Sequence, residues 1–145
     1  MTVLERDDGV ATETGRIDGA LELGDGWAVR LAQGSRGRLA LEVYADDTLL
    51  DVVVESALAA ELLRGARRAP AGVSVLAWGL LPANGAAPLL RSGRLPITVP
   101  ADTPAPRIVA GRFWLALWAA GTDRVSATAH SGAAWEELRV TPVRT

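Results

Sequence analysis

The chain has 145 residues and a formal charge of −2, and is 49% hydrophobic and 22% charged, a profile that fits one ordinary globular domain. It contains no cysteine, which excludes disulfides, Cys-ligated zinc, iron–sulfur clusters and thiol nucleophiles; it contains no lysine either, all 15 basic residues being Arg, which excludes Schiff-base chemistry and a P-loop lysine. The near balance of charge predicts no pull toward nucleic acid or an anionic membrane.

Residues 1–14 are polar and end near a turn-prone Gly, so a flexible tail is expected before a single β-rich domain over 15–145. No basic segment leads into an apolar run there, and the longest apolar run, FWLALWAA, has strand length. The expected location is the bacterial cytoplasm, with no membrane span.

From residue 17 the hydrophobic period is two. The runs IDGALEL, WAVRL, RLALEVY and LLDVVVE are separated by GDG, GSRG and ADDT, the residues of tight turns. They predict a four-strand antiparallel meander with one apolar and one charged face. A two-residue turn at Asp46–Asp47 pairs Val43 with Leu50, Leu41 with Val52, and Leu39 with Val54, all inward. A plain two-residue turn in GSRG sets inward Gln33 opposite outward Arg38, so one extra residue is needed at Gly34 or Gly37.

The period becomes helical in SALAAELLRGARRAP. Ser56 is a good N-cap, Leu58, Leu62 and Ala66 form a stripe, and Pro70 is a stop, predicting a helix over 56–68. Arg64, Arg67 and Arg68 then complement its C-terminal dipole. A strand follows in GVSVLAWGLL, then a loop in PANGAAP. The Pro-rich stretch 96–106 reads as an edge strand and crossing connection. The segment 111–132, GRFWLALWAAGTDRVSATAHSG, reads as a hairpin, and EELRVTPV as the last strand. The expected architecture is mainly β: an antiparallel barrel or a two-sheet sandwich of a meander, one helix and about four more strands.

The inventory for catalysis is thin. His130 is the only histidine, with Ser126, Ser131, Asp123 and Glu136 near in sequence, but alternation turns Ser126, Thr128 and His130 outward at a strand end. A Ser–His–Asp arrangement needs a base in reach of its hydroxyl, and no GxSxG elbow is present. Zinc wants several His or Cys ligands, and one His cannot supply them. Neither GDG nor GSRG continues into a phosphate-binding pattern. No cofactor is implied, and no motif is specific enough to carry a family assignment.

Two surface features stand out. The predicted meander register opposes Glu42 and Asp51 on the outer face, and like charges opposed across strands are destabilising. Arg30 on the neighbouring strand is the plain remedy; a bound cation or a cationic partner is the other, and a carboxylate pair with a raised pKa could also serve as general acid and base. The second feature is the strand RFWLALWA, apolar on both faces: Phe113, Leu115 and Leu117 on one, Trp114, Ala116 and Trp118 on the other. If the former join the core, Trp114 and Trp118 face outward; the reverse orientation puts the tryptophans in the core and exposes Phe113, Leu115 and Leu117. Either way some apolar surface needs a cover, from the helix, the Pro-rich segment, a second copy or another protein. The expected function is therefore a non-catalytic interaction domain, binding a protein partner or itself through that tryptophan face, with Glu42, Asp51 and Arg30 as further contacts. A small-ligand β-barrel, using Asp/Glu or His130 in its mouth, stays open as the second reading.

Overall fold

The computed structural model describes residues 19–55, 62–70, 74–93, 103–119 and 121–143, with the Ser35 side chain excepted. Among these residues the chain is mainly β, in several antiparallel sheets that do not close into a barrel, and a sandwich-like arrangement fits. The expected tail at 1–14, the first part of the predicted helix and most of the Pro-rich segment lie outside the described residues. Two compact units divide the chain, Met1–Ser56 and Ala57–Thr145.

The first unit holds the meander: β1 (Leu21–Gly24), β2 (Trp27–Gln33), β3 (Leu39–Ala45) and β4 (Thr48–Val54), hydrogen-bonded in that order. In the second turn the Gly34 N–H donates to the Arg38 carbonyl at 2.7 Å, leaving Ser35–Gly37 as a three-residue loop. Gln33 thus pairs with Leu39, and the conflict read from the sequence disappears.

The β3–β4 register departs from the expected one. Tyr44 pairs with Leu49, but Val43 pairs with Asp51, so Leu50 is an extra residue in a bulge. Alternation has a period of two, so one added residue swaps the faces of everything beyond it. Val53, not Val52 or Val54, is the fully buried residue of β4; Val52 and Val54 are 42% and 38% exposed.

Among its described residues the second unit has eight strands: β5 (Gly65–Arg68), β6 (Ser74–Leu80), β7 (Leu89–Gly93), β8 (Arg107–Val109), β9 (Phe113–Ala119), β10 (Arg124–Thr128), β11 (Glu136–Arg139) and β12 (Thr141–Pro142). They form a five-stranded sheet, β12-β5-β6-β9-β8, and a three-stranded sheet, β11-β10-β7. The pair β12–β5 is parallel and the others are antiparallel.

Two expectations are overturned here. No described part of 56–68 is helical: Leu62–Arg64 are irregular and Gly65–Arg68 are β5. Ala, Leu and Arg favour a helix locally, but pairing with β6 prevails. Gly65 is the residue that permits it, since a Cβ there would overlap the ring of its cross-strand partner Trp78. Nor do β9 and β10 form a hairpin. β9 pairs with β6 and β8, and β10 with β7 and β11, so the chain crosses from one sheet to the other at Gly121–Asp123. The crossing is pinned by backbone bonds from the Asp123 N–H to the Gly93 carbonyl and from the Val140 N–H to the Asp123 carbonyl, both 2.8 Å.

This crossing puts Trp114, Ala116 and Trp118 of β9 on the inside of the sandwich. They join Val75 and Ala77 of β6 and Val125 and Ala127 of β10 in one buried cluster, with Leu62, Leu63 and Val140 at its margin. The Trp114 indole N–H donates to the Leu62 carbonyl at 2.9 Å. Gly79 is bare for this reason, because a Cβ there would overlap that same carbonyl. Glu136 holds the other side of the segment: its Oε1 accepts from the N–H groups of Leu62 and Leu63 at 2.8 and 2.9 Å. Charge-assisted bonds of this kind are roughly twice as strong as neutral ones.

Candidate functional site

Trp114 and Trp118 do not form a surface. They are 0% and 2% exposed, and so cannot serve as outward anchors for a partner. Phe113 and Leu115, on the opposite face of β9, are buried as well; only Leu117 and Ala119 are exposed. Strand β9, apolar on both faces, lies between β6 and β8, and its Trp114–Trp118 face packs against β10 across the sandwich.

The expected Glu42–Asp51 opposition is also absent. With Leu50 bulged, Glu42 pairs with Val52, and Asp51 pairs with Val43 on the other face. Arg30 does meet Glu42: the two are paired across β2 and β3, and Arg30 Nε lies 2.7 Å from Glu42 Oε1. Tyr44, which no pattern along the chain singles out, donates its hydroxyl to the same oxygen at 2.8 Å. The Arg30 hydrogen bond holds the Glu42 carboxyl below its ordinary pKa, aided by Tyr44 and opposed by partial burial. Burial, and then the neighbouring carboxylate, push the Tyr44 phenol up. The group is a satisfied ion pair on the outer face of the meander.

The predicted helix-dipole role of Arg64, Arg67 and Arg68 goes with the helix. Arg67 reaches the Pro142 carbonyl at 3.1 Å, and Arg68 reaches Asp123 Oδ1 at 3.0 Å and the Thr122 carbonyl at 3.2 Å. These bonds tie β5 to the end of the chain and to the crossing at Gly121–Asp123. His130 is exposed at a turn, with its Nδ1 2.9 Å from the Ser131 carbonyl oxygen.

One described surface does combine tryptophan, arginine and exposed apolar area: the outer face of the three-stranded sheet. Val125 and Ala127 point into the core, so Arg124, Ser126 and Thr128 occupy the other face of β10. The register extends that face in rows. Leu89 lies beside Thr128, Arg91 and Glu137 flank Ser126, and Gly93 and Arg139 flank Arg124. Trp135, just ahead of β11, is 37% exposed, and Leu89 is 46% exposed.

Arg91 on β7 crosses β10 to stack on Trp135, its guanidinium carbon 3.9 Å from the ring centroid. This distance is well within the range of a cation–π interaction. The stack roofs the small residues of β10, which accounts for the burial of Ser126 and Thr128 on an outward face. The Thr128 hydroxyl donates beneath it to the Ala134 carbonyl at 2.8 Å, fixing the approach to Trp135. A signal for Trp135 was present in the sequence: it keeps the parity of Glu137 and Arg139 in an alternating strand.

Among the described residues no group of three or more His, Asp or Glu side chains is placed to hold a metal ion, and no helix is long and apolar enough to cross a membrane. No family model, curated protein or solved structure matches this chain.

Proposed function

We propose that this protein is a non-catalytic interaction domain whose working surface is the outer face of the β7–β10–β11 sheet. The observation that carries the reading is the Arg91–Trp135 stack beside exposed Leu89. Trp and Arg are the residues that most often dominate binding energy at protein interfaces, and they do so where an aromatic surface is already held in place. Here the stack with Arg91 fixes the indole before any partner arrives, which lowers the entropic cost of binding. The partner is a second copy or another protein, and the setting proposed is the bacterial cytoplasm.

The test is site-specific cross-linking from a photoreactive side chain at position 137, on the same face, in purified protein and in extract of the source cell. A discrete adduct is expected from position 137, lost when Leu89→Ser and Trp135→Ala are added. A control probe in the turn at Asp47 should give none. No adduct from position 137, or the same adducts from both positions, contradicts the proposal.

A further inference from the structure

Arg124 and Arg139 are directly paired across β10 and β11 and share the outer face. Like charges so placed repel, because directly opposed side chains start from Cβ atoms only about 5 Å apart. Among the described residues little offsets this. Glu137 is 3.8 Å from Arg124, with both side chains about half exposed, and Arg139 has no ion pair there. An exposed pair of that length contributes little. Arg91 adds a third guanidinium: stacking occupies its face and leaves its N–H edge available to an acceptor. The face therefore carries three arginines against one glutamate, on a chain whose net charge is −2.

We infer that Arg124 and Arg139 form a clamp for carboxylates of an acidic segment in a protein partner, whose apolar side chains rest on Trp135 and Leu89. The inference deepens the interaction reading above and rests on it. A guanidinium presents parallel N–H donors that match a carboxylate in two-point contact, and two such forks side by side fit closely spaced Asp or Glu residues. Each carboxylate so bound also relieves the repulsion between the two arginines. A nucleic acid fits less well, because Glu137 sits in the middle of the face and the chain as a whole is acidic.

Fluorescence anisotropy tests this with a labelled peptide of alternating Asp and Leu. An alternating Ser–Leu peptide of the same length and a single-stranded oligothymidylate serve as comparisons. Against the full chain, the Asp–Leu peptide is expected to bind at least about tenfold more tightly than the Ser–Leu peptide. The preference should vanish in Arg124→Gln/Arg139→Gln, a change that keeps the size and polarity of the surface. It should also fade between about 0.1 M and about 1 M salt, as the Debye length falls from about 10 Å to about 3 Å. Equal binding of both peptides, lost in Trp135→Ala, overturns the acidic clamp while sparing the interaction surface. Oligothymidylate binding as tightly as the Asp–Leu peptide overturns the clamp in favour of phosphate recognition. Binding of neither peptide overturns both.

Discussion

Strand β9 and the outer face of the β7–β10–β11 sheet both set tryptophan against β10, on opposite sides of it. Trp114 and Trp118 lie inside the sandwich against Val125 and Ala127. Trp135 lies outside, above Ser126 and Thr128, held by Arg91. The difference lies in what surrounds each ring. The inner pair has a neighbouring strand on either side and a second sheet across from it. The outer one has an arginine and solvent. Tryptophan in a strand pattern is thus a poor guide to function until its parity with the neighbouring strands is known.

The largest expected effect falls on the inner side. Gly79→Ala drives a methyl into the Leu62 carbonyl that accepts the Trp114 indole N–H, so the segment at Leu62–Leu63 must move or the bond must break. Overpacking of this kind costs about 3 kcal/mol or more where backbone is the obstacle. Urea unfolding measures it, and a Gly79→Ala protein of unchanged stability breaks the account of the inner face.

A finer contrast lies within the inner pair. The Trp114 Nε1–H is hydrogen-bonded, whereas the Trp118 Nε1–H is buried with no partner among the described residues. Replacing either by Phe removes similar volume. Trp114→Phe also strands a buried carbonyl, while Trp118→Phe removes a donor that was already unsatisfied. Trp114→Phe is therefore expected to be the more destabilising, by about 2 kcal/mol. Equal losses would mean that the Leu62 bond contributes nothing.

A smaller effect belongs to the outer face of the meander. The folded-state pKa of Glu42 is depressed, chiefly by its hydrogen bond to Arg30. Its contribution is present above the ordinary carboxylate range and is lost as pH falls through the lowered folded value. The pair is partly exposed, with side-chain accessibilities of 37% for Arg30 and 16% for Glu42, so it contributes under about 1 kcal/mol. Glu42→Gln should remove that part of the acid destabilisation. An unchanged slope of stability against pH in the acid range would assign it to other carboxylates.

Much of the fold was legible along the chain. The meander and its turns follow from period-two alternation broken by GDG, GSRG and ADDT, and β6 from GVSVLAWGLL. The bulge was not, because Val52, Val53 and Val54 are alike and either parity places valine inward. The extra residue, Leu50, separated Glu42 from Asp51. Over 62–68 the predicted helix gives way to β5 because local propensity cannot register that Gly65 must lie against the ring of Trp78. The hairpin at 111–132 failed because strands adjacent in sequence usually pair, while these two are needed in opposite sheets to close the core. The site was missed for the same reason: Arg91, Arg124, Trp135 and Arg139 come from separated segments that only the β7–β10–β11 register brings together.

The central claim is that Trp135 serves a partner while Trp114 serves the core. It is tested most directly by Trp135→Ala, read twice on one preparation: urea unfolding for stability, and binding of the labelled Asp–Leu peptide. The account predicts a stability loss of no more than about 2 kcal/mol, the size of the lost Arg91 stack and the partly covered ring, together with loss of binding. A loss of several kcal/mol, or binding that survives intact, would contradict it.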